Sequence, residues 1–414
     1  MTKKTLRSAV IASTPALLLA TSLGHAVEIQ VGNSTLSLEG YAKLDMIYDF
    51  DDRLGRFTFH DQIGADSSDG HFRMQAGQSR LGFRSATPTD QGDLVLFANF
   101  DFFGGDAAGN ESGGSLRMRE FYGQWNGITA GRTWTTFNTF VGTPETLDFT
   151  NAVGQAGLDL QTQLRYTVGG FSIALEAPDD LVSSLNASAI ANAGGEKSST
   201  FGASNQSRVP DLTTNYHWSQ NGVDFAVGGM LRQLRVGRGN ADNIDGSDTT
   251  TGWGLFGAAA TQIAPGTTVR GVVAGGDGIG NYLYFQPAPA AYYDANRDKI
   301  ETIEAVGGSA SITQEIGPGR ATLAYAYAYA DTDNFMERGS IDATDDGNLF
   351  FLGNKFQSIF VNYLFEPIER VTYGIELGWH RVDRPRNFDG DGNLNDRSSN
   401  DDAYRIMTSL IYDF

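Results

Sequence analysis

Side-chain polarity along this chain alternates with a period of two over runs of about ten to fifteen residues, which only extended strands with one apolar and one polar face can satisfy. Over Arg320–Ala330, residues Ala321, Leu323, Tyr325, Tyr327 and Tyr329 fall on one face, and Thr322, Ala324, Ala326 and Ala328 on the other. In the last run Tyr404, Ile406, Leu410, Tyr412 and Phe414 share a face opposite Arg405, Ser409 and Asp413. Strands of a soluble sandwich are about five or six residues long. A tilted strand crossing a bilayer needs about nine to eleven, so these runs have membrane length.

Sixteen such runs are expected, near 34–50, 76–87, 92–103, 115–126, 127–134, 161–168, 170–178, 209–220, 222–236, 250–264, 266–276, 301–316, 318–331, 355–366, 369–383 and 402–414. The count is even, as in single-chain bacterial barrels. Tight turns such as Gln220-Asn221-Gly222 and Ala264-Pro265-Gly266 alternate with long stretches near 51–75, 104–114, 179–208, 237–249, 277–300, 332–354 and 384–401. That asymmetry matches short periplasmic turns and long outer loops. The expected fold is all-β: a transmembrane antiparallel β-barrel of about 16 strands, in one domain spanning 27–414.

The first 26 residues read as a signal peptide. Lys3, Lys4 and Arg7 precede an apolar core from Ala9 to Ala20, and Ser22-Leu23-Gly24-His25-Ala26 places small residues at an exit expected after Ala26. The chain has no cysteine, which rules out disulfide frameworks, thiolate metal sites and thiol catalysis. Its formal net charge of −19 argues against a nucleic-acid partner. Removal of the basic leader leaves the exported chain more acidic still.

The segment Glu120-Phe-Tyr-Gly-Gln-Trp-Asn-Gly-Ile-Thr-Ala-Gly-Arg-Thr-Trp-Thr-Thr-Phe137, followed by Pro144-Glu-Thr-Leu-Asp-Phe149, resembles the DcaP-like family of bacterial outer-membrane porins. Gln78-Ser-Arg-Leu81 and Asn99-Phe-Asp-Phe-Phe103 carry the same resemblance, which is strongest over about residues 35–175. The terminal Tyr412-Asp413-Phe414 is similar to the aromatic ending of bacterial outer-membrane barrels. The resemblance implies a trimeric sixteen-stranded porin that passes small anions, dicarboxylates among them. The family's N-terminal coiled-coil extension is not expected here, since Val27 leads into the first strand within about a dozen residues. Outer-membrane lipid and lipopolysaccharide are the expected surroundings.

A passive pore needs a sealed wall, a polar lumen and a narrowing whose charges set selectivity. The alternation breaks at about 135–160, where Phe137, Phe140, Glu145, Asp148, Phe149 and Asp159 occur, and this segment is expected to fold inward as a constriction loop. An external loop packed on itself is the alternative. Phase places Arg80, Arg84, Arg165, Arg232, Arg270 and Arg405 on the lumen face, and leaves Arg117, Arg119 and Arg132 ambiguous. Inward placement is favoured because a basic side chain at the lipid midplane costs about 2–4 kcal/mol. Arginine outnumbers lysine 23 to four beyond residue 26, a bias suited to bidentate carboxylate binding. Arg80, Arg84 and Arg165 are expected to form a basic ladder opposite Glu145 and Asp148. Alternatively, each arginine neutralises lumen acids such as Asp45, Asp101 or Glu176.

No cofactor is expected. Asp389, Asp391 and Asn393 resemble the start of a calcium loop, but Leu394 replaces the turn glycine and Asn400 the bidentate glutamate. No catalytic function is expected: His60, His71, His217 and His380 are the histidines beyond residue 26, and none lies in a recognisable catalytic motif. The competing class is a structural or adhesive barrel without an open pore. Against it, the small inward residues Ala324, Ala326 and Ala328 are expected to leave lumen space.

Overall fold

The computed structural model describes residues 27–414 apart from 61–62, 65–69, 105–113, 179–189, 194–206, 237–246, 295–296, 298, 335–352, 386, 389–393 and 396–397. The sixteen wall strands are β1 (Ser34–Asp49), β2 (Arg80–Thr89), β3 (Gly92–Gly104), β4 (Ser115–Trp125), β5 (Ile128–Trp134), β6 (Leu160–Val168), β7 (Phe171–Glu176) and β8 (Asp211–Gln220). They continue with β9 (Val223–Val236), β10 (Asp248–Ala264), β11 (Thr267–Asp277), β12 (Glu304–Ile316), β13 (Gly319–Ala330), β14 (Lys355–Ile368), β15 (Val371–Arg384) and β16 (Ser399–Asp413). Each pairs antiparallel with its neighbours in chain order, and β16 pairs with β1 from Tyr41↔Asp413 to Asp49↔Arg405, which closes the barrel. Closure leaves the wall without an unpaired edge, the condition for a sheet in lipid.

Exposure follows the alternation with the sign inverted from a soluble protein. Phe83, Leu164, Leu255, Val273, Leu323 and Leu377 are exposed on the outer face, while polar Asp45, Asp101, Gln161, Thr213 and Ser358 are buried inside. The hairpin turns Asn126-Gly127 and Asn221-Gly222 have positive φ at both residues, the geometry that matches strand twist. Short strand pieces supplement the wall. His71–Gln75 pairs with the upper half of β1, and Val27–Val31 pairs with its lower half, in line with the end of β16.

The alanines on the inner face of β13 do not border open space. Ala324, Ala326 and Ala328 are fully buried against Leu54, Ile63, Ala152 and Val153, so their small size makes room for protein that folds into the barrel. A second apolar cluster joins Phe137, Ile279 and Tyr282 to Met230, Phe256 and Val272 of the wall. The half of the lumen bounded by β8–β15 is therefore packed.

Candidate functional site: an arginine-lined lumen

Three connections enter the barrel, and wall carboxylates position the main one. Residues 135–159 leave the wall after β5 and return at β6. At one end Glu176 of β7 accepts hydrogen bonds from the Thr136 amide (2.6 Å) and the hydroxyls of Thr135 and Thr213 (both 2.7 Å). Toward the other end Glu376 of β15 accepts the amides of Leu147 (2.8 Å) and Asp148 (2.9 Å) and the Asn362 side-chain amide (2.9 Å). The Lys43 ammonium of β1 donates to the Leu147 carbonyl at 2.9 Å. Buried backbone N–H groups need such partners, and charged acceptors supply them strongly.

The second inward connection lies between β11 and β12. Its Tyr282–Tyr284 stretch pairs with the first segment through Gly154 N to Tyr284 O (2.7 Å), Tyr284 N to Gln155 O (2.9 Å) and Gly157 N to Tyr282 O (2.9 Å). Gly154, at φ +73°, abuts β13 so closely that a Cβ would stand 2.0 Å from the Tyr327 carbonyl oxygen, which reserves the position for glycine. The third connection follows β1. There Thr58 donates its amide to Thr150 (2.9 Å) and its hydroxyl to Asp148, tying this loop to the first.

The remaining lumen faces β2–β6 and carries arginine in two tiers. In the upper tier Arg117 binds Asp101 through both Nε (2.9 Å) and Nη2 (2.6 Å), and Arg119 Nη1 lies 3.2 Å from the same carboxylate. Guanidinium groups also lie over aromatic faces: Arg56 over Phe57 and Phe103, Arg117 over Phe103 and Phe149, Arg119 over Trp134 and Phe149, Arg80 over Tyr41, all at 5.2–5.8 Å. Such stacking holds a guanidinium in place while leaving its edge available. The Nε atoms of Arg56, Arg80 and Arg119 are buried without a protein partner. Asp159 is enclosed by protein near Arg119, Arg132 and Arg117, and burial pushes its carboxyl up to about 6 against the pull of those arginines. Four arginines, Arg56, Arg80, Arg117 and Arg119, thus gather around Asp101, with the Asp159 carboxyl, raised to about 6, as the further acid beside them. The tier is electropositive.

In the lower tier Arg84 and Arg165 approach Tyr122, with Glu39 and Glu120 as local counter-charges. Arg84 lies level with Phe97, which in turn pairs with Tyr122. Arg80 and Arg84 therefore share one wall with Arg165 but sit at different heights.

The other expected residues have separate surroundings. Glu145 is held by Arg320 Nη2 at 2.6 Å, and Asp148 by Thr58 and Arg405, so neither acid faces the arginines of β2 and β6 unengaged. Phe149 lies instead beneath Arg117 and Arg119 of β4. Arg405 is buried on Asp49 (2.6 and 3.1 Å) and the Gly55 carbonyl (2.7 Å), and Arg232 on Asp211 (3.5 Å) and over Tyr282. Arg270 donates to Thr313 at 3.1 Å. Arg405 and Arg232 thus join the wall to the inward loops, and Arg270 bridges β11 and β12. The stretch with Asp389, Asp391 and Asn393, like the leader 1–26, lies outside the described residues.

Phase leaves Arg117, Arg119 and Arg132 ambiguous, and it does not reach Arg56, which lies in a connection. A β-bulge explains Arg119: Asn99 pairs with Glu120 while Phe100 pairs with Met118, so the extra residue turns inward beside Glu120. Arg117, opposite Asp101, shares the inward phase above the bulge.

Among solved structures, the outer membrane channel DcaP of Acinetobacter baumannii matches with a TM-score of 0.71 at 20% identity, covering 93% of this chain and 99% of that one. OmpT of Vibrio cholerae matches with a TM-score of 0.52 at 12% identity, covering 94% and 100%. An anion-selective porin from Comamonas acidovorans matches with a TM-score of 0.54 at 13% identity, covering 92% and 100%. These likenesses fix the barrel fold. No curated protein matches the sequence. The model of the family described as DcaP outer membrane protein matches residues 26–396, nearly the whole wall and all three inward loops. The chain is a bacterial outer-membrane barrel and belongs to the DcaP outer membrane protein family.

Proposed function

We propose that this outer-membrane porin is a diffusion channel for small hydrophilic solutes that prefers anions and admits dicarboxylates. The upper tier carries the reading: Arg117 and Arg119 bind Asp101, and Arg56 and Arg80 stack on aromatic rings close to them, so four guanidinium groups gather around that carboxylate. Selectivity follows the local field at a constriction, so the chain's acidic net charge does not oppose it. Guanidinium edges present paired N–H donors that match a carboxylate. Each end of a dicarboxylate would meet such an edge on passing from one tier to the next.

The anion-selective porin among the structural relatives is consistent with this reading. A homotrimer in outer-membrane lipid and lipopolysaccharide is part of the same proposal, and one solved form of OmpT is a trimer. The packing that fills the β8–β15 side favours the competing structural or adhesive barrel. Reconstitution in planar bilayers separates the two. Stepwise conductance with chloride preference and succinate-induced current noise is expected, whereas folded protein without conductance would establish the closed barrel.

A further inference from the structure

We propose that the inward connection that follows β1 determines the channel's anion preference through Arg56, and that His60 is the residue that positions it. The inference rests on the porin reading above and assigns its selectivity to an element outside the wall.

Arg56 differs from the arginines around it. Arg117 and Arg119 share Asp101, Arg405 holds Asp49, and Arg320 holds Glu145. Arg56 makes no carboxylate ion pair among the described residues: Nη2 donates to the Phe103 carbonyl at 3.4 Å, and Nε is buried without a partner. Its guanidinium is clamped over Phe57 and Phe103 at 5.2 and 5.3 Å, with the Arg117 charge nearby and the neighbouring Asp101 carboxylate already shared by Arg117 and Arg119. A cation stacked on rings, close to a like charge and short of an acceptor, is poised for an anion from the lumen.

The loop reaches this position because it is seated on both sides. Leu54 and Ile63 are fully buried in the apolar cluster beneath β13 and β14. The Ile63 carbonyl accepts from Arg384 Nη2 at 2.5 Å. Between these ends His60 Nε2 lies 2.8 Å from Ser358 Oγ and 3.1 Å from the Gln357 carbonyl oxygen. A carbonyl only accepts, so Nε2 carries the proton; the Ser358 hydroxyl in turn hydrogen-bonds with Nδ1 of His380 at 3.1 Å. The imidazole also stacks on Phe356 with a centroid distance of 5.1 Å. The charged and titratable groups facing this seat are His380 of β15, Arg405 of β16 beside it, and Asp148 of the neighbouring loop. Burial holds His60 down at about 4, so the seat works with a neutral ring.

The test is the reversal potential of full-length trimeric or monomeric channels in planar bilayers under a KCl gradient, with folding verified by heat-modifiable gel mobility. Arg56→Ala is expected to lower the anion-to-cation permeability ratio roughly threefold, the effect of one unit charge about 7 Å from a passing ion in water at about 0.1 M salt, acting with opposite sign on anion and cation. Arg56→Lys keeps the ratio near wild type. His60→Ala lowers it as Arg56→Ala does and adds current noise, while His60→Gln, whose amide can donate to Ser358 and Gln357, restores it. A merely structural histidine would change noise without changing selectivity. An anion-preferring wild type with an unchanged Arg56→Ala ratio would overturn the inference alone. A wild type without anion preference would overturn the porin selectivity reading and this inference with it.

Discussion

Truncating Glu376 removes the wall's grip on the central part of the main inward loop. Its carboxylate accepts the Leu147 and Asp148 amides and the Asn362 side chain at 2.8–2.9 Å, all in a buried setting. Hydrogen bonds to a charged group contribute about 1.5–3 kcal/mol each. Glu376→Ala orphans three donors at once, and local relaxation with water entry recovers part of the loss. Undocking of the loop should then become easier by about 3–6 kcal/mol, or two to four orders of magnitude in the docking equilibrium. The barrel itself persists, because its ladder does not use this side chain. Single-channel recording should show larger and noisier conductance, and limited proteolysis should cut within 140–150 in the variant alone. Glu376→Gln keeps one acceptor oxygen and should give an intermediate phenotype. Wild-type conductance, noise and protease resistance in Glu376→Ala would refute the anchoring argument.

Three further outcomes follow from the tiers. Arg117→Ala with Arg119→Ala should lower the anion-to-cation permeability ratio by about tenfold, two charges each worth about threefold near the ion path, as read from reversal potentials. Glu120→Gln removes a counter-charge from the lower tier and should raise the same ratio by about threefold; an unchanged or lower ratio would place Glu120 away from the path. Asp159 is raised to about 6, so it is ionised above that pH and neutral below it. Lowering the pH from about 7.5 to 5 therefore adds one net positive charge beside Arg117 and Arg119 and should increase anion preference, with the step abolished in Asp159→Asn.

The wall was legible because its physics is local: a residue's phase decides whether it meets lipid or lumen, and the sixteen strands fall where the alternation places them. Inward loops obey no such period. Nothing in the chain near Glu176 or Glu376 distinguishes an acid that anchors a loop from one that lines water, because that role depends on residues about 40 and 230 positions away. Ala324, Ala326 and Ala328 were misread for the same reason, since small size serves either open space or a close-packed loop. One signal was available and missed: Tyr282-Leu283-Tyr284-Phe285 is apolar and aromatic inside a connection expected to be polar, and that stretch is buried or half-buried within the barrel. Arg119 was hidden by its bulge, which breaks the alternation by a single residue.

The central claim is that arginines, not the chain's acidic total, set the field of the lumen. Reversal potential of the purified wild-type channel in a planar bilayer under a KCl gradient tests it most directly. The account predicts a potential of the sign that marks chloride as the more permeant ion, shifted further in that direction at pH 5. A potential marking potassium as the more permeant ion would contradict it.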